Sequence, residues 1–124
     1  MTHRYDIDSI QDAELAVLQV LWETGGPMPL ADILEALHAS RGWADSTVKT
    51  LLRRLQEKEA VKLEKRGVYA AAIDRADYHG AANRSFLDKL YRGSAKNLVA
   101  ALVQEGKLTR EDINELTELF RKGE

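Results

Sequence analysis

The chain contains no cysteine among its 124 residues. That excludes disulfides and thiolate metal sites, and it fits a cytoplasmic protein. Proline occurs only twice and aromatic residues make up 6% of the chain, which points to a mostly helical fold. No apolar run approaches the roughly 18 residues that a membrane-spanning helix needs. The opening stretch MTHRYDIDSIQDAE has no apolar core, so no signal peptide is expected. Strong net charge is absent too, at −2.

That near-neutral sum hides a sharp asymmetry. Residues 1–40 carry a net −6, residues 41–67 a net +4, and residues 68–124 a net zero. A short basic block inside an acidic or neutral chain points to a local anionic partner. The block centres on STVKTLLRRL, Ser46 to Leu55. Val48, Leu51, Leu52 and Leu55 follow the i, i+3, i+4, i+7 spacing of an amphipathic helix. The other face holds Ser46, Thr47, Lys49, Thr50, Arg53 and Arg54, with no acid before Glu57.

Hydrophobic periodicity organises the rest. Leu15, Leu18, Leu21 and Trp22 predict a first helix over Asp12–Thr24, stopped by Gly25–Pro27. Met28–Leu30 reads as a short extended segment. Ile33, Leu34 and Leu37 predict a second helix ending near Arg41–Gly42. The third runs from Asp45 to about Lys58, with Asp45 complementing the helix dipole. Val61–Leu63 and Val68–Ile73 read as two strands of a small basic hairpin turning at Glu64–Gly67. Helices over Asp74–Tyr91, around Leu98–Val103, and after Thr109 follow. The last has a capping box from Thr109 and Asp112, with a Leu108–Ile113 staple.

Three helices and a hairpin describe a winged helix-turn-helix, whose third helix enters the DNA major groove and whose hairpin is the wing. The acid-free face then has a purpose, because hydroxyls and cations meet phosphates and base edges while an acid would be repelled. Lys65 and Arg66 at the hairpin turn are added as wing contacts. The expected fold is therefore mostly α with a small β-hairpin, with the winged helix in residues 1–73 and a three-helix dimerisation region in 74–124. Leu98, Leu102, Leu116 and Phe120 are the expected dimer contacts. The alternative is a winged helix used only for protein–protein contact, with no DNA site.

Enzymatic readings fail on the residues. Ser46 lacks a nucleophile-elbow context. No glycine-rich phosphate loop exists. His3, His38 and His79 are too scattered for a metal motif, and Asp77 with His79 is not a ligand spacing. No catalytic site, metal or cofactor is expected. Trp22 and Trp43 are expected to be packing anchors.

The chain resembles the penicillinase repressor family of bacterial transcriptional repressors, which control β-lactamase and methicillin-resistance operons. The resemblance spans about residues 9–122. It rests on DAELAVLQVLWE at Asp12–Glu23, GWADSTVKTLLRRLQEK at Gly42–Lys58, and GSAKNLVAALVQEGKLTREDINEL at Gly93–Leu116. It implies a homodimer that binds dyad-symmetric, double-stranded promoter DNA, often with TACA/TGTA elements. It also implies release by proteolysis in the C-terminal domain, triggered by a membrane-bound sensor metalloprotease. The matching bond here is Ala101–Leu102, where well-studied members have Asn–Phe. Glu59 stands where the family often has glycine, so the end of the third helix is expected to differ. The wing is shorter than usual, and the C-terminal cysteines of a copper-responsive branch are absent.

Overall fold

A computed structural model of the chain describes residues 7–123; His3 lies outside them. A single 3-10 turn, Ile7–Ser9, leads into α1 (Asp12–Thr24), β1 (Met28–Pro29), α2 (Leu30–Arg41) and α3 (Asp45–Glu57). The wing strands β2 (Val61–Lys65) and β3 (Val68–Ala71) follow. Then come α4 (Arg75–Tyr91), α5 (Ala95–Gln104) and α6 (Arg110–Lys122). The fold is a winged helix-turn-helix followed by C-terminal helices. Two compact units divide inside α4, one ending at Ala82 and the other beginning at Asn83.

In the first unit the apolar stripes of three helices converge. Val17 and Leu18 of α1, Ile33 and Leu37 of α2, and Val48, Leu52 and Leu55 of α3 are all fully buried. Burying side chains of this size contributes about 1.5–3 kcal/mol each before chain entropy opposes it. Trp22 and Trp43 are half-buried and pack against this core. The Trp22 indole Nε1–H donates to the Ile73 carbonyl at 3.0 Å. Its ring meets Tyr78 of α4 at 5.6 Å. Tyr78 is itself buried, and burial together with nearby Asp12 and Asp8 raises its phenol above the ordinary 10.0. The first turns of α4 therefore belong to the winged-helix core, beyond the Asp74 start that periodicity sets for the C-terminal region.

The hairpin differs in detail from its sequence outline. The first strand continues to Lys65, and the second stops at Ala71 rather than Ile73. A register shift between Leu63 and Lys65 absorbs Glu64, so the ladder resumes at Lys65↔Val68. Only Arg66 and Gly67 remain for the turn, and Gly67 at φ 75° takes the conformation that side chains avoid. The Met28–Pro29 segment pairs antiparallel with β3 through Met28↔Tyr69, giving a three-stranded sheet in the order β1-β3-β2. Leu30 N–H at the start of α2 donates to the Gly67 carbonyl at 2.8 Å. The wing is thereby pinned to the helical frame.

The end of α3 does not differ as Glu59 leads one to expect. Glu59 itself adopts the left-handed conformation, at φ 63°. Its N–H bonds to the Gln56 carbonyl at 3.0 Å, and the Ala60 N–H bonds to the Leu55 carbonyl at 2.9 Å. Those two bonds are the glycine-type helix stop of the Schellman kind. Ala60, fully buried, holds the chain there against the core. A non-glycine residue in this region is strained by about 1–2 kcal/mol. Because the Glu59 side chain is exposed, Glu59→Gly should stabilise the protein by about 1 kcal/mol once the extra freedom of unfolded glycine is subtracted. Equilibrium denaturant unfolding measures this; a less stable variant would show that the left-handed turn is not strained.

Ser94 caps α5, its Oγ accepting the Asn97 N–H at 3.1 Å. The expected capping box at α6 is present: Thr109 N–H donates to Asp112 Oδ2 at 2.9 Å, and Asp112 N–H donates to Thr109 Oγ1 at 3.0 Å. Neither α5 nor α6 buries a residue fully.

Candidate nucleic-acid interface

α3 leaves a backbone cap at Ala44 and turns its four aliphatic residues inward. The register of that stripe decides what faces out. Ser46, Thr47, Lys49, Arg53 and Arg54 are exposed, and Thr50 is half-buried. Ser46, Thr47, Thr50 and Arg54, together with Leu51, line one shallow hollow of ≈ 280 Å³. Lys49 and Arg53 lie on the same helix outside it. The face presents hydroxyls for base edges or phosphate oxygens and cations for phosphates, on a rigid helix backed by a packed core.

One acid reaches this face. Arg53 meets Glu57 one turn on, at 3.8 Å, with both side chains well exposed. A pair of that kind is weak and screened. Among the described residues Lys49 and Arg54 face no carboxylate within ion-pair distance, so their charge is available to an anion. Lys65 and Arg66 are exposed at the end of the hairpin. They sit on a separate element, beside a Lys62–Glu64 pair at 4.0 Å.

The helical unit after Ala82 has a different surface. Leu116 and Phe120 are 45% and 73% exposed on α6, and Leu119 beside them is 65% exposed. Leu98 and Leu102 are half-buried within the protomer. The exposed large apolar residues of α5 are Val99 and Val103, which mark the helix in the sequence together with Leu98 and Leu102 but are not among the expected dimer contacts. Ala101 and Leu102 lie inside α5, both half-buried.

One cluster escapes the sequence. Lys58, just past α3, turns inward to Glu14 of α1, with Nζ 2.6 Å from Oε1. A sequence signal for Glu14 exists, since it stands on the helical face of Leu18 and Leu21, where an acid is out of place. No such signal names Lys58 as its partner. His79 packs edge-on against Trp22 and Tyr78. No group of three metal-ligating side chains occurs among the described residues.

Comparison with known proteins bears on this surface. Residues 10–122 match the family model described as penicillinase repressor. The penicillinase repressor of Bacillus licheniformis is 32% identical over 119 residues, covering 94% of this chain and 92% of that protein. The methicillin resistance regulatory protein MecI of Mammaliicoccus sciuri is 26% identical over 116 residues, covering 91% and 94%. The solution structure of the DNA binding domain of the repressor BlaI is 33% identical, covering 60% of this chain and 94% of that one, with a TM-score of 0.53. The match runs through the winged helix and the C-terminal helices alike, and the chain belongs to the penicillinase repressor family.

Proposed function

We propose that this protein is a dimeric bacterial transcriptional repressor that binds dyad-symmetric promoter DNA. The observation that carries the reading is the outer face of α3, where Ser46, Thr47, Thr50 and Arg54 line one hollow and Lys49 and Arg53 stand beside it on the same core-backed helix. Ser46, Thr47, Lys49, Thr50, Arg53 and Arg54 read the major groove, and Lys65 and Arg66 touch the flanking backbone. A relative's DNA binding domain with the same fold supports this. Residues 1–73 carry the DNA contacts. The C-terminal helices join two protomers through the apolar side chains that α5 and α6 leave exposed. A two-fold dimer on a palindrome doubles the base contacts. No described helix is long and apolar enough to cross a membrane, and promoter DNA places the function in the cytoplasm.

Release follows from the same arrangement. The bond at Ala101–Leu102 lies within α5, so a sensor metalloprotease reaches it only after local unfolding. Cutting there separates α6 from α4 and removes half of the apolar surface that joins the protomers.

The test is to select fragments of the source genome on the purified protein and footprint the enriched ones. Protected, dyad-symmetric segments upstream of genes are expected. Enrichment no better than random sequence would sink the reading.

A further inference from the structure

Lys58 follows Arg54 by four residues, so on an extended α3 it would present one more cation to DNA. The structure turns it the other way. Its Nζ is 2.6 Å from Glu14 Oε1 and also donates to the Ser9 carbonyl. Glu14 Oε1 accepts the Gln11 N–H as well, at 3.0 Å. The Glu14 side chain is 1% exposed, and its Oε2 is buried with no hydrogen-bond partner among the described residues. A buried carboxylate with an idle oxygen is tolerated only while its cation stays in place. Lys58 is therefore held firmly, and with it the end of α3 is tied to the start of α1.

We infer that the Lys58–Glu14 pair is a positioning device for DNA reading: it fixes the pose of α3 against α1, so that base contacts elsewhere on the helix come into register. The inference rests on the DNA reading above. Base contacts need accurate placement of the helix, whereas phosphate contacts from long flexible cations tolerate a small tilt. Loosening the tie should cost discrimination between sequences rather than general affinity. Neither residue touches DNA.

Three variants of the intact protein test this: Lys58→Met, Lys58→Arg and Glu14→Gln. Each is titrated against a promoter fragment selected from the genome and against a random duplex at several salt concentrations. Circular dichroism at the same temperature reports the folded fraction. Lys58→Met should lower affinity for the promoter fragment about tenfold, the loss typical of one misplaced base contact. Affinity for the random duplex and its salt slope should stay unchanged. Lys58→Arg should restore discrimination. Glu14→Gln should also weaken promoter binding, although removing an acid strengthens DNA binding on simple electrostatics. It carries the test alone if Lys58→Met does not fold. Unchanged discrimination in folded variants overturns the inference. So does tighter promoter binding by Glu14→Gln. A uniform loss with a slope shallower by about 0.9 per half-site would make Lys58 an ordinary phosphate contact instead. If the wild-type protein binds no duplex in a salt-dependent way, the DNA reading itself has failed, and that result is distinct from all the others.

Discussion

Replacing Leu116 and Phe120 together with aspartate should turn the dimer into monomers and lower affinity for a two-half-site promoter fragment about a hundredfold or more. Both side chains face solvent in the protomer, at 45% and 73% exposure, so the α6 fold does not depend on burying them. Its capping box, Thr109 with Asp112, is untouched. In the proposed dimer the same positions are apolar contacts, and an unpaired carboxylate there would be costly to desolvate. Affinity then falls because the second half-site is no longer bound by a linked copy. Sedimentation velocity gives the oligomeric state, and titration of a whole and a half palindrome gives the linkage. A double variant that remains dimeric would move the interface away from α6. Monomers that bind the full palindrome as tightly as wild type would show that dimerisation does not serve DNA binding.

The triple variant with alanine at Lys49, Thr50 and Arg53 should lose nearly all promoter binding. Each good base contact is worth about 1–3 kcal/mol, and a dimer loses every contact twice. A fall of about a thousandfold or more follows, against a random-duplex affinity reduced far less. None of the three is fully buried, and alanine favours helix. The variant should therefore fold, with an unfolding midpoint near that of wild type. A folded triple variant with normal promoter affinity would place the reading surface elsewhere.

Much of this surface is legible in the sequence, because one helix carries it and helical periodicity is local. The stripe Val48, Leu51, Leu52 and Leu55 fixes the rotation of α3, and that rotation alone exposes the hydroxyls and cations. Thr109 and Asp112 announce the start of α6 for the same reason. The pairing of β1 with β3 is not legible, since two residues, one of them Pro29, carry no strand pattern. Glu64 hides the true end of β2 because a bulge breaks the alternation that marks a strand. In α5 the run LVAALV is apolar around most of its circumference, so periodicity does not separate half-buried Leu98 and Leu102 from exposed Val99 and Val103. The Lys58–Glu14 pair joins residues 44 apart, and only tertiary packing brings them together. Glu59 shows the opposite limit: the helix stop is kept by backbone hydrogen bonds and a buried Ala60, even where the residue chemistry opposes it.

The most direct measurement is the salt dependence of promoter binding by the wild-type dimer. Lys49, Arg53, Arg54, Lys65 and Arg66 are exposed in each protomer. Each phosphate they neutralise steepens the slope of log K against log salt by about 0.9. With several contacts in each half, a slope of roughly −4 or steeper is expected by that rule, despite the net charge of −2. A slope near zero would contradict a DNA-reading face on α3.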